Sequence, residues 1–196
     1  MNQPLGPAAE LYDLQQRGLV TLTAPGVLAN DLDPEGDPLA VLHACHEDML
    51  AQCEALENLV VHIRENGFDA DTRGRIAAAV QFFTTIAVQH HQDEETDLFP
   101  ILNRQSLKLA DIVFRLRKDH EQLHTLWDTL FLDFRKGPAL AEDDGFADNV
   151  AAFCSAYREH IKRETRELLS MAQHILSHQQ LQDIGRAMAR RRGIRR

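Results

Sequence analysis

The chain is poor in the residues that staple a fold or span a membrane. Of its 196 residues only 3 are cysteine, 2 tyrosine and 1 tryptophan, and aromatics amount to 6%. Three thiols cannot all pair. Cys45 and Cys53 lie eight positions apart on a predicted helix, and at about 1.5 Å rise per residue they are too far apart to bridge. A framework without disulfides points to a reducing, cytoplasmic setting. No apolar run approaches the roughly 20 residues that a membrane-spanning helix needs. The opening stretch MNQPLGPAAELYDLQQ has neither the basic start nor the apolar core of a secretion signal. Basic residues are a minority, with 21 Lys and Arg against 30 Asp and Glu and a formal net charge of -9. An acidic body argues against nucleic acid as a partner. At 44% hydrophobic residues the chain is too apolar for disorder.

What is present is helical patterning. The stretch TAPGVLANDLDPEGDPL is rich in turn formers, so residues 1–37 read as an arm or linker, with weak amphipathic character around Leu11–Leu22. Residues 38–196 read as a bundle. Asp37 followed by Pro38 is a helix start, and Gly67 stops that helix after Asn66. A second helix is predicted from about Asp71 to Pro100 or a little beyond. A third runs from near Ser106 to Gly137-Pro138, a fourth from near Asp144 to about Ser177, and a short fifth covers Gln179–Arg191.

The apolar steps of three and four residues decide the class. The first helix carries Leu42, Cys45, Met49, Cys53, Leu56, Val60 and Ile63; the second Ile76, Val80, Phe83 and Ala87. The third carries Leu109, Val113, Leu116, Leu123, Trp127, Phe131 and Phe134; the fourth Val150, Phe153, Tyr157, Leu168, Met171 and Ile175. These are helical seams, and four of them with short connections predict an all-α, antiparallel up-down four-helix bundle.

Histidine is the abundant oddity, at 10 residues. Each seam has a gap, and polar residues fill it: His46 in the first, His90 and Glu94 in the second, His120 and His124 in the third, His160 and Glu164 in the fourth. A single histidine in a seam is ordinarily a hydrogen-bonded core residue. All four helices agreeing is a different matter, because uncompensated carboxylates inside a bundle are costly. Cations would neutralise them. His-x-x-x-Glu puts both side chains on one helix face, one turn apart. Imidazole with carboxylate suits iron, with zinc or manganese as other choices. The order differs from the Glu-x-x-His of ferritin-like bundles. His91-Glu95 has the same spacing as His90-Glu94. The seam favours the latter, because Ala87 and Leu98 continue it, and leaves His91 and Glu95 as outer or surface groups. His43 lies beside His46 but outside the stripe.

These residues resemble the hemerythrin-like, HHE cation-binding bundles. HHQDEETDLFPIL at 90–102 is similar to the family's most specific motif. ACHEDMLAQCEAL, KDHEQLHTLW and YREHIKRETRELL resemble its first, third and fourth ligand helices, so the resemblance covers about residues 38–190. It implies a non-haem centre of two iron ions, oxo- or hydroxo-bridged. His46, His90, His120 and His160 would be ligands and Glu94 and Glu164 bridging carboxylates. His-x-x-x-His on the third helix resembles the oxygen carriers and implies His124 as a fifth histidine ligand. The fourth helix has His-x-x-x-Glu where the oxygen carriers have His-x-x-x-x-Asp, which weighs against simple oxygen storage.

The expected function is therefore binding or sensing of dioxygen or nitric oxide. The alternatives are a diiron enzyme acting on peroxide or nitric oxide, or serving iron–sulfur repair by iron delivery, and a mononuclear or zinc-binding bundle. No cysteine precedes Cys45, unlike the repair proteins with their cysteine-bearing N-terminal domain. The tail RAMARRRGIRR holds six arginines and no acid. Pairing with the acidic body and contact with an anionic surface are both open to it, and a basic helix end that complements the helix dipole is the preferred reading.

Overall fold

A computed structural model describes residues 32–194, so most of the expected arm lies outside the described residues. Among the described residues every regular element is helical. Helix α1 (Pro38–Asn66) begins where Asp37 accepts a hydrogen bond from the Ala40 amide at 3.0 Å, with Pro38 in the first turn. It ends at Gly67, whose φ of 74° is the left-handed region glycine enters freely. Three residues later α2 (Ala70–Gln92) starts with a reciprocal cap between Asp69 and Thr72. So short a link forces the two helices antiparallel. His62, near the end of α1, is tied to Asp69 at 3.1 Å and so staples this turn.

Helix α2 continues through a wide π turn (Asp93–Leu98) into α3 (Phe99–Leu102). The local cause is Pro100, which has no amide proton and whose ring collides with the carbonyl four residues back. Phe99 bonds instead to the carbonyl of Glu94, five residues back. Helix α4 (Leu107–Phe134) is capped by Ser106 on the Leu109 amide. A 3-10 turn (Gly137–Glu142) leads to α5 (Gly145–Arg163), a second π turn (Glu164–Leu169) and α6 (Ser170–Ile175). Helix α7 (His178–Arg191), capped by Ser177 and Gln180, closes the described chain.

Helix α1 packs against α2 and α5, and α4 against α5, giving the antiparallel four-rod bundle. The predicted seams are buried with one systematic shift. At the end of the second π turn and beyond it the core residues are Leu168, Leu169, Ala172 and Leu176, while Met171 and Ile175 are only half-buried. An extra residue in the turn rotates everything after it by about 100°. Val60 likewise is half-buried, with Leu59 taking the core position. Away from the histidines, the core is a chain of rings in edge and tilted contact: Phe83, Trp127, Phe153, Phe134 and Phe146. All three thiols are buried and free. No described helix is long and apolar enough to cross a membrane.

Candidate metal centre

The interrupted seams converge in one half of the bundle. His46 comes from α1, His90 and His91 from the last turn of α2, His120 from α4 and His160 from α5. Glu94 and Glu164 sit at the starts of the two π turns. Two groups of donor atoms result, each within 4.8 Å: His46, His90, Glu94 and Glu164 in one, His91, His120 and His160 in the other.

The carboxylates join the two groups. Glu94 places Oε1 3.0 Å from His90 Nε2 and Oε2 3.2 Å from His120 Nε2. Glu164 Oε2 lies 3.1 Å from His46 Nε2 and 3.5 Å from His160 Nε2. Both side chains are fully buried. These distances are short, yet most of the atoms lack hydrogen-bond geometry. Both Glu94 oxygens, Glu164 Oε1, His91 Nε2, His120 Nε2 and His160 Nε2 are buried without a hydrogen-bond partner. Buried polar atoms are ordinarily satisfied. Atoms aimed at common points rather than at one another are what metal donors look like.

Electrostatics report the same strain. Burial alone would pull the His90 pKa down, but the Glu94 carboxylate beside it drives it well above the ordinary value. His120, also desolvated, is pushed up to about 9 by the Glu94 carboxylate facing its ring and by the hydrogen bond to Glu95. Glu94 is held well below the carboxylate range despite its burial, by His90 first and His120 next. His91 is driven far down by burial and by the neighbouring His120 cation. Protons on His90 and His120 thus balance the Glu94 carboxylate.

The sequence pattern of the Hemerythrin HHE cation binding domain matches residues 37–172. The chain belongs to that family. An uncharacterised protein of Haemophilus influenzae is similar, 27% identical over 159 residues that cover 81% of this chain and 92% of the relative.

Within this hemerythrin HHE domain, six of the seven expected site residues come together: His46, His90, Glu94, His120, His160 and Glu164. His124 joins neither group. It is exposed, one turn beyond His120, on a stretch where Leu123 and Trp127 take the core. His91 stands in the second group instead of remaining an outer residue. Consecutive residues on a helix point about 100° apart. His90 therefore meets His46 of α1, while His91 stacks on His120 of α4 at 4.0 Å between ring centres. The His-His doublet was the available signal, since α2 serves two neighbours at once.

Outer partners orient the rings of the HHE site. His46 Nδ1 bonds to Thr165 Oγ1 at 3.2 Å, and His120 Nδ1 to Glu95 Oε1 at 2.6 Å. His160 Nδ1 faces Asp119 at 3.6 Å, which Arg163 pairs in turn. Partners of this kind fix imidazole tautomer and direction around a metal. Three openings reach the second group, one of them of about 310 Å³ past Asp119 and Arg163 to His160. An apolar cavity of about 300 Å³ runs between Phe83, Leu123, Trp127 and Tyr157 to His91, with His124 on its lining. A polar cleft of about 480 Å³ exposes Glu95, Arg117 and His120. Tyr157 is buried and its phenol is pushed up by that burial, so it stays neutral beside the cavity.

Proposed function

We propose that the chain holds two metal ions, one at each donor group, and uses them to bind or sense dioxygen or nitric oxide. The observation that carries this reading is the pair of fully buried carboxylates, each within 3.5 Å of a histidine in both groups. The proposed ligands are His46 and His90 on one side, His91, His120 and His160 on the other, with Glu94 and Glu164 between. His91 replaces the expected His124. Five imidazoles and two carboxylates without a thiolate suit iron better than a closed, four-coordinate structural zinc site. An iron pair held by these residues would supply redox-active metal able to take up a small ligand.

The chain's own residues do the rest. Glu95, Asp119 and Thr165 hold the imidazoles in direction. Phe83, Trp127 and Tyr157 keep the approach to His91 apolar, which favours small uncharged molecules over ions. A second reading is an enzyme that reduces peroxide or nitric oxide. The Glu95–His120 contact on the wall of the polar cleft supports it, because it offers a proton path from solvent that reversible binding does not need.

Metal analysis and optical spectra of the reduced protein test both. Dioxygen, oxygen-free nitric oxide and peroxide are added separately. A stable adduct that leaves under vacuum supports binding or sensing. Rapid irreversible oxidation with turnover supports the enzyme. Protein that neither contains nor takes up iron rejects both.

A further inference from the structure

The C-terminal helix lies beyond residue 172, where the match to the HHE domain ends, yet it is built tightly onto the metal half of the bundle. Ile184, Gly185, Met188 and Ala189 of α7 are buried. Gly185 is needed for the approach. A Cβ there would collide with the Pro34 carbonyl oxygen and stand 3.1 Å from its carbon, so α7 lies directly on the backbone preceding α1. Two arginines of the C-terminal stretch are paired with carboxylates of the bundle. Arg191 pairs with Asp93 and, at 2.8 Å, with Asp97; Arg192 reaches Asp93 Oδ2 at 2.6 Å. The Asp93 side chain is fully buried, and the two guanidiniums are mostly so. Asp93 opens the π turn and directly precedes Glu94. The turn that carries a proposed bridging carboxylate is therefore gripped by two largely buried cations that lie beyond the stretch matched to the family domain.

We propose that α7 is a strap that fixes this π turn, and that Arg191 and Arg192 are positioning residues for Glu94, slowing loss of metal from the centre. The proposal rests on the reading of the two donor groups as metal sites. The physical grounds are specific. A π turn has one residue more than an α turn and can relax by shifting that residue along the helix. Arg191 spans Asp93 and Asp97, one turn apart, and so ties the start of the wide turn to its end. A guanidinium fork held on both carboxylates resists such a shift better than a point charge would.

The test uses the full chain. Arg191→Gln/Arg192→Gln, Arg191→Lys/Arg192→Lys, Arg191→Gln alone and Val150→Ala are compared with the wild type. Val150 is buried in the aromatic half and serves as a destabilising control away from the centre. Two quantities are read: the rate at which iron is lost to a chelator, and amide exchange of residues 93–99 in metal-free protein. The double glutamine variant is expected to lose iron at least about 10-fold faster, the scale for outer groups around a metal. Its exchange at 93–99 should rise selectively. The lysine pair should fall between it and the wild type, and Arg191→Gln gives a graded effect if the double variant does not fold. Iron loss within twofold of the wild type, or exchange at 93–99 no faster than in Val150→Ala, overturns the strap. Wild-type protein that takes up no iron rejects the metal reading, and the strap is then judged on exchange alone.

Discussion

Replacing His91 and His124 one at a time separates two ligand sets that differ by a single residue. His91 is one of three imidazoles in its group, with its Nε2 buried and unpartnered, whereas His124 is exposed on the surface of α4. Even an outer group around a bound metal is worth 10- to 100-fold in affinity. His91→Ala should therefore cost about 100-fold, or ~2.7 kcal/mol. Metal that binds only the folded state stabilises it through that affinity, so the loss appears as ~2.7 kcal/mol less stabilisation at a fixed excess of iron. A domain of this size moves by about 2–4 °C per kcal/mol. The rise in Tm on adding iron should thus shrink by about 5–11 °C. His124→Ala, at an exposed position, should stay within about 0.5 kcal/mol, less than ~2 °C. The assay is thermal unfolding of each variant with and without ferrous iron under anaerobic conditions, alongside iron content per chain. The reasoning is refuted if His124→Ala loses the iron-dependent rise while His91→Ala keeps it.

Glu94→Gln keeps the shape but removes the charge that faces His90 and His120, so iron content should fall to one ion per chain or fewer, measured by elemental analysis of the desalted protein. In metal-free protein the His120 pKa is raised to about 9, so its stabilising contribution is full below about 6.5 and disappears as pH rises through 9. Unfolding midpoints of metal-free protein should fall across that interval, less so in His120→Asn, while iron affinity rises as the competing proton leaves; a flat profile for both proteins contradicts this. Phe99 is fully buried and stacks on His120 at 5.8 Å between ring centres. Phe99→Ala should cost about 3–5 kcal/mol in urea unfolding and alter the optical spectrum of the iron-loaded protein.

How far the fold could be read from sequence differs by element. Local chemistry carried the helix starts at Asp37 and Ser106 and the stop at Gly67, because caps and glycine act within four residues. The seams carried the bundle, and their polar gaps carried six of the clustered residues. The π turns were hidden, since the series His90, Glu94, Leu98 suits an ordinary helix as well; only Pro100 hinted at the first, and nothing local marks the second. The position of His91 beside His120 and His160 was not legible, because a single seam describes one contact face, while α2 has two. Pairing of the arginine tail with the acidic body was one reading open to the sequence, but its partners were hidden, since Asp93 and Asp97 lie more than 90 positions away. A pairing that long is set by the packing of α7, which no local pattern shows.

The ring chain from Phe83 through Trp127 to Phe146 has a consequence for how the molecule lives without its cations. One half of the bundle is an aromatic block held together by ring contacts. The other buries carboxylates and imidazoles whose mutual satisfaction is incomplete. Local opening follows the weaker contacts, and native proteins open in such sub-global units rather than all at once. Scarcity of metal would therefore be felt as breathing of one half around a persistent anchor, and a chain in that state remains ready to be refilled.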